Sequence, residues 1–213
     1  VLSADFFARD AQVVARDLLG KVLSHYYQGQ WLEALIIETE AYYLVDKASH
    51  ASLGFTEKRR ALFMPAGTIY MYYSRAGASM NVSAAGAGNA VLLKSGFPYL
   101  KKTDAEQMLK KMQALNPQKN GEPRLPAKLC AGQSLLCRSL GLTVPAWDQK
   151  TFNHQKLKIS ARGETVDEII QTQRLGIRAE RDAHLPYRFI WKEYARFCTK
   201  NPLNKKSYLP GGS

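Results

Sequence analysis

Cysteine is scarce in this chain, and the little there is excludes two chemistries. Cys130, Cys137 and Cys198 are an odd number, at spacings that form neither a zinc knuckle nor a dithiol redox pair. They read as free thiols of a reducing compartment. Long apolar runs are missing as well. No stretch reaches the roughly 18 consecutive apolar residues of a membrane-spanning helix, and Val1 to Gly20 is charged and periodic, without the apolar centre and cleavage site of a signal peptide. These absences predict an intracellular protein with no membrane partner, in the cytoplasm or nucleoid of a bacterium or the nucleus of a eukaryote. The third shortage is acid. Eighteen Asp and Glu stand against thirty Lys and Arg, and the resulting net charge of +12 is the footprint of a polyanionic partner, with nucleic acid the favoured one. There is no internal repeat and no linker dividing two halves. A chain of 213 residues with 46% hydrophobic content can bury one core, so a single domain is expected over 1–209, with Pro210-Gly211-Gly212-Ser213 as a frayed tail.

What is present has clear periods. Asp10 to Gly20 has apolar residues at helical spacing, an Asp able to cap its start and a Gly just past its end. Lys21–Tyr27 and Trp31–Glu40 read as strands of a hairpin turned by Gln28-Gly29-Gln30. Period-two alternation puts Leu32, Ala34, Ile36, Glu38 and Glu40 on one face of the second strand, and Trp31, Leu35 and Ile37 on the other. Leu44 to Arg60 has no period and is a loop. Ile69–Tyr73 and Met80–Ser83 form a second hairpin, turned by Ser74 to Ser79, and Ala90–Lys94 is a further strand. Thr103-Asp104-Ala105-Glu106 reads as a capping box for a helix to Leu115, Asn116–Pro126 as a mobile linker, and Gly132–Leu140 as a helix stopped by Gly141. Ile159–Ala161, Ile177 and Phe189–Trp191 look like late strand fragments.

The chemistry concentrates at the end of the second strand. Glu38 and Glu40 are about 7 Å apart by strand geometry. Such a pair can hold a divalent ion together with Asp46 and His50, share a proton, or face water, and no recognised metal-ligand spacing accompanies it. Their company points elsewhere. Tyr42 follows on the same parity, and His50 and the cluster Tyr70-Met71-Tyr72-Tyr73 come next. A carboxylate among aromatic rings suits a nucleobase rotated out of its stack, covered on its faces and attacked.

In this order, Ile37-Glu38-Thr39-Glu40-Ala41-Tyr42, His50, Phe63-Met64-Pro65-Ala66-Gly67-Thr68-Ile69-Tyr70-Met71-Tyr72, Met80-Asn81-Val82-Ser83 and Ala90-Val91-Leu92-Leu93-Lys94 resemble the alkyladenine (3-methyladenine) DNA glycosylase family. Ala15 to Leu23, Leu129-Cys130-Ala131-Gly132, Arg174-Leu175-Gly176-Ile177 and Pro186-Tyr187-Arg188-Phe189 extend the likeness over most of the chain. The resemblance implies a mixed α/β (α+β) fold, a single domain with a central curved antiparallel sheet, flanking helices and a protruding hairpin that enters DNA. It implies hydrolysis of the N-glycosidic bond of alkylated or deaminated purines in damaged DNA, double-stranded or also single-stranded, by a monomer without metal or cofactor. Glu40 would be the general base that activates water. Tyr42, His50 and Tyr72 would cover and hydrogen-bond the flipped base, Asn81 would crowd the amino group of guanine, and Lys94 would stand beside the water. Glu38 falls to a supporting or solvated role. No lysine matches a Schiff-base nucleophile, so a monofunctional glycosylase that leaves an abasic site is expected.

Several positions depart from the family pattern. At the hairpin tip a Tyr-Gly pair is usual, and here Tyr73-Ser74-Arg75-Ala76-Gly77 is one residue short, which leaves Arg75, or Tyr73 in a shifted register, to fill the gap behind a flipped base. Lys94 stands for an Arg, and Leu135 for a Lys that contacts phosphate. Lys58-Arg59-Arg60 is a second candidate DNA contact, with a solvated turn as its plain alternative. Two other readings follow from the same residues: a lesion-binding homologue without efficient excision, and a metal-dependent nucleic-acid hydrolase using Glu38, Glu40 and His50.

Overall fold

Two short helices, α1 (Ala4–Phe7) and α2 (Ala11–Leu18), open the chain in a computed structural model that describes residues 1–161 and 163–204. The expected tail at 210–213 lies outside the described residues. Asp10 caps α2 as its sequence implies, accepting from the amides of Gln12 (2.9 Å) and Val13 (3.3 Å). Val14, Ala15 and Leu18 bury the inner face of the helix.

Among the described residues, eight antiparallel strands form one curled sheet: β1 (Val22–Tyr27), β2 (Gln30–Tyr42), β3 (Ile69–Ser74), β4 (Gly77–Ser83), β5 (Ala90–Pro98), β6 (Leu157–Ser160), β7 (Ile169–Thr172) and β8 (Arg188–Trp191). The order is β3-β4-β5-β2-β1-β6, and β8, carrying β7, also pairs with β2. The 13-residue β2 is therefore the spine: β5 lies along one side of it, and β1 and then β8 along the other. Gln28 and Gly29 both have positive φ (46° and 84°), the conformation of a two-residue turn whose twist matches its strands, so the β1–β2 turn is one residue tighter than expected. The β3–β4 hairpin is also longer and tighter than its sequence suggests. Its ladder runs out to Ser74 opposite Gly77, and only Arg75 and Ala76 turn. The Ser74 hydroxyl closes that turn, donating to Gly77 O at 2.9 Å.

The alternation expected along β2 breaks halfway. Between β2 and β5 the register skips Ile37 on one strand and Lys94 on the other, with Glu38 opposite Ser95 in between. These are two facing bulges. Leu32, Ala34 and Ile36 point into the main core, but beyond the bulge it is Ala41 that joins that core and Thr39 that bonds Ala15 O at 2.8 Å. Glu38, Glu40 and Tyr42 thus lie on the opposite face, the one Leu35 and Ile37 occupy, which corrects the single-face expectation. On β5 the same happens: Val91 and Leu93 face the main core, while Ala90, Leu92 and Lys94 line a cavity on the other side. Gly96, opposite Ile36, fits because a Cβ there would stand 3.0 Å from both Leu35 O and a Leu136 methyl.

The helices after β5 are α3 (Ala105–Leu115), α4 (Pro126–Leu129), α5 (Gln133–Ser139) and α6 (Val144–Trp147). The expected capping box does not form. Asp104, not Thr103, is the N-cap of α3, and its carboxylate meets Lys102 at 3.1 Å rather than a helix amide. Residues 116–126, expected as a mobile linker, are tied down. Arg124 donates to Asn116 O (3.2 Å) and Pro117 O (2.9 Å), and Asn116 is fully buried with its amide on Leu129 O. Ile177 lies in a loop rather than a strand, and the strand β7 had no counterpart in the reading of the sequence. All three cysteines are buried and unbridged, with burial pushing the Cys130 and Cys137 thiols up to about 12. Among the described residues, no helix is long and apolar enough to cross a membrane.

Candidate active site

The polar face made by the two bulges forms the floor of a cavity of about 280 Å³, near the small end of ligand pockets. Tyr42 from β2, Tyr70 and Tyr72 from β3, Asn81 from β4 and Lys94 from β5 line it, with His50 from the loop after β2 and Gln133 from α5. Leu175, Gly176, Ile177 and Arg181 close the remaining side. Of the candidates drawn from the sequence, Tyr42, His50, Tyr72, Asn81 and Lys94 thus line one cavity although they span five segments, and Glu40 lies just behind the lining, bonded to Tyr42 and Lys94.

Glu40 has no exposed surface. A buried carboxylate is stable only when partnered, and three donors surround this one: Tyr42 Oη at 2.7 Å, the Leu175 amide at 3.3 Å and Lys94 Nζ at 3.4 Å. Burial first, and then the neighbouring carboxylate, hold the Tyr42 hydroxyl well above its ordinary range, so it remains a donor. The Tyr42 ring is backed by the Arg174 guanidinium, 4.5 Å from its centroid. Arg174 is itself buried, pairing with Asp46 and donating to Ala41 O at 3.0 Å.

Across the cavity His50, Tyr70 and Tyr72 make an aromatic wall. The His50 and Tyr72 rings stand 4.5 Å apart at 60°, and Tyr70 stacks on Tyr72 at 5.5 Å. His50 Nδ1 lies 3.0 Å from Tyr70 Oη. Burial, then Arg59 and Arg181, keep the imidazole below its ordinary pKa, and therefore uncharged at neutral pH. Asn81 is held by its own amide on Tyr70 O at 3.3 Å. Gln133 donates to Ser79 Oγ at 2.7 Å beside Tyr72.

Two loops clasp the mouth. Lys47 N donates to Asp182 Oδ2 (2.9 Å), Arg181 Nε donates to Lys47 O (2.7 Å), and Arg174 joins Asp46. Reasoning on the sequence left Arg174, Leu175 and Ile177 without roles although their segment was singled out, and missed Arg181, Gln133 and Ser79 altogether. No local pattern marks a residue that matters only because a second loop brings it over the first.

Glu38 is fully buried and bonded to Ser95 and to Arg188 Nε (2.6 Å), which removes the solvated alternative. Glu38, Glu40, Asp46 and His50 do not gather as a ligand set: no group of three possible metal ligands occurs among the described residues, and each of the three acids already faces a cation. The basic run lies on a 3₁₀ turn, Glu57–Phe63. Lys58 and Arg60 face outward, Arg60 near Glu57 at 3.7 Å, while Arg59 turns inward to His50 O at 3.4 Å. At the hairpin end Tyr73 is 65% exposed opposite Ala78, in regular register, and Arg75 occupies the turn itself. Leu135 is half-buried on α5.

Comparison with known proteins puts this chain in the class of DNA glycosylases, hydrolases of DNA repair. The family model for methylpurine-DNA glycosylase (MPG) matches residues 5–195, and the chain belongs to that family. A relative from Pseudomonas syringae pv. tomato is 59% identical over 96% of this chain and 92% of its own. One from Pseudomonas aeruginosa strain LESB58 is 56% identical over 94% and 84%, and one from Carboxydothermus hydrogenoformans 34% identical over 90% and 95%. All three are provisionally named 3-methyladenine DNA glycosylases. Membership makes the substrate damaged DNA and the activity that of a glycosylase for alkylated bases.

Proposed function

We propose that this glycosylase rotates an alkylated or deaminated purine out of DNA into the cavity and hydrolyses its N-glycosidic bond with a water activated by Glu40. The observation that carries the reading is a fully buried carboxylate directly behind the lining of an aromatic-walled cavity, held there by Tyr42, Lys94 and the Leu175 amide, which all border the cavity. Glu40 accepts the proton of the water and balances the charge that develops on the sugar. Tyr42 covers one face of the base, and Tyr72 and His50 the other. Asn81 crowds a guanine amino group, and Lys94 holds the water and the carboxylate together.

The product is an abasic site and the enzyme is monofunctional, since no lysine of the chain matches a Schiff-base nucleophile of the family. It acts as a monomer, inside the cell, on duplexes carrying 3-methyladenine, hypoxanthine or related lesions, and it needs no metal or cofactor. Arg75, at the tip of a hairpin whose register leaves Tyr73 facing sideways, fills the gap left by the flipped nucleotide. Tyr73, Lys58 and Arg60 flank the duplex, while Arg59, turned inward to His50 O, supports the cavity wall instead.

Glu40→Gln tests the assignment: it preserves shape and removes the base. Single-turnover excision of hypoxanthine is expected to fall by at least three orders of magnitude, with lesion binding kept within a few fold. Near-normal base release by that variant would defeat the assignment. Excision by the wild-type protein is expected to be the same with and without chelator.

A further inference from the structure

Arg174 stands behind the cavity rather than in its lining, yet it is only 4% exposed and holds several segments at once. The ladder between β2 and β8 stops at Glu40 opposite Arg188. Past that point the edge of β2 is bonded at Ala41, whose amide donates to Tyr187 O at 2.8 Å and whose carbonyl accepts from Arg174 Nη1 at 3.0 Å. Ala41 is the residue between Glu40 and Tyr42. The same guanidinium lies 4.5 Å from the centroid of the Tyr42 ring and 5.4 Å from that of Tyr187, pairs with Asp46, and reaches Asp182 O at 3.5 Å. Leu175, the next residue in the chain, donates its amide to Glu40 Oε1 at 3.3 Å.

Resting on the reading of Glu40 as the base, we infer that Arg174 is a positioning residue of the hydrolysis, fixing the Glu40 carboxylate and the Tyr42 ring relative to the sugar, and more than the partner of Asp46. Its bond to Ala41 O pins the backbone where β2 presents both side chains. Its stack on Tyr42 sets the plane of that ring, and so the hydroxyl that donates to Glu40 Oε2 at 2.7 Å. The Leu175 amide, anchored by its neighbour, takes the other oxygen. Both oxygens of the carboxylate are thus oriented by groups that Arg174 holds. An ion pair with Asp46 needs only a charge, whereas a stack combined with diverging hydrogen bonds needs a flat guanidinium. A catalytic group displaced by about 1 Å loses about a hundredfold in rate.

The test separates rate from binding. Single-turnover excision of hypoxanthine at saturating enzyme is set beside equilibrium affinity for a duplex whose hypoxanthine sits on a 2′-fluoro sugar, which resists hydrolysis. Removing one member of a buried ion pair strands the other. Arg174→Met is therefore made together with Asp46→Asn, which keeps the oxygen that accepts from the Ala48 amide at 2.9 Å. The double variant is expected to excise about a hundredfold more slowly while its affinity stays within about fivefold. Asp46→Asn alone leaves the guanidinium on Tyr42 and Ala41 O, and is expected to remain within about threefold of the wild type in both measurements. Arg174→Lys keeps a charge beside Asp46 without the flat stack. It is expected to lose about tenfold or more in rate, and it decides the matter where the double variant does not fold. Asp46→Asn as slow as the double variant, Arg174→Lys excising at the wild-type rate, or affinity falling as far as rate would each reduce Arg174 to a strut of the mouth and overturn the inference. Excision that survives Glu40→Gln counts instead against the reading on which it rests.

Discussion

Glu38 and Glu40 sit one alternation apart on β2 and are both fully buried, yet their partners give them different work. Glu40 is held by a phenol, an amide and an ammonium that all border the cavity, while Glu38 is locked to Arg188 and Ser95 away from it. Arg188 extends the lock by donating to Lys200 O at 2.8 Å. Removing one member of a buried pair strands the other, at a cost of about 3–5 kcal/mol. Arg188→Leu is accordingly expected to lower stability by that amount in denaturant unfolding, whereas Glu38→Leu with Arg188→Leu recovers a good part of it. Equal losses in the single and double variants would show that the pair contributes nothing beyond its volume. The order of motifs in the sequence already favoured Glu40 over Glu38. It held no trace of Arg188 as the reason, since that partner is 150 positions away.

Elements were legible where one local rule governs them. Asp10 caps α2, Gly29 turns the first hairpin, and the aromatic run of β3 forms a second hairpin with β4, Tyr70 opposite Asn81 and Tyr73 opposite Ala78. The misreadings came where a tertiary partner outbid a local one, as with Asp104, drawn to Lys102 instead of its helix, and with Ile177, taken from strand to cavity lining. The β3–β4 hairpin shows how far a small boundary error matters. With a turn of only two residues, Arg75 is presented at the very end of a paired ladder, and the Tyr73 side chain cannot reach the tip without breaking its pairing with Ala78. Arg75→Ala is expected to diminish the fluorescence rise of a stacking-sensitive base placed beside a lesion, and to weaken lesion binding several fold without altering unfolding. An unchanged fluorescence response would reassign the wedge.

Over the whole molecule, the charge of +12 was legible at once, and its distribution was not. Not every cation is outside: Lys94, Arg174 and Arg188 are buried and each is matched by an acid, so they cannot neutralise phosphates and the net excess lies elsewhere. Outward cations such as Lys58 and Arg60 can. Affinity for DNA is expected to fall steeply with salt, and Lys58→Gln with Arg60→Gln to reduce the slope of log K against log salt by about two. A slope unaffected by the pair would take that turn off the DNA. The paired bulges at Ile37 and Lys94 carry a different consequence. Which face a strand residue occupies is fixed by counting along the chain rather than by composition, so no single substitution can return Glu40 to the core side of the sheet. Inheritance can lose this site gradually through its side chains, but it can misplace it only through a change in length, and an insertion or deletion in one strand alone would leave its neighbour out of step.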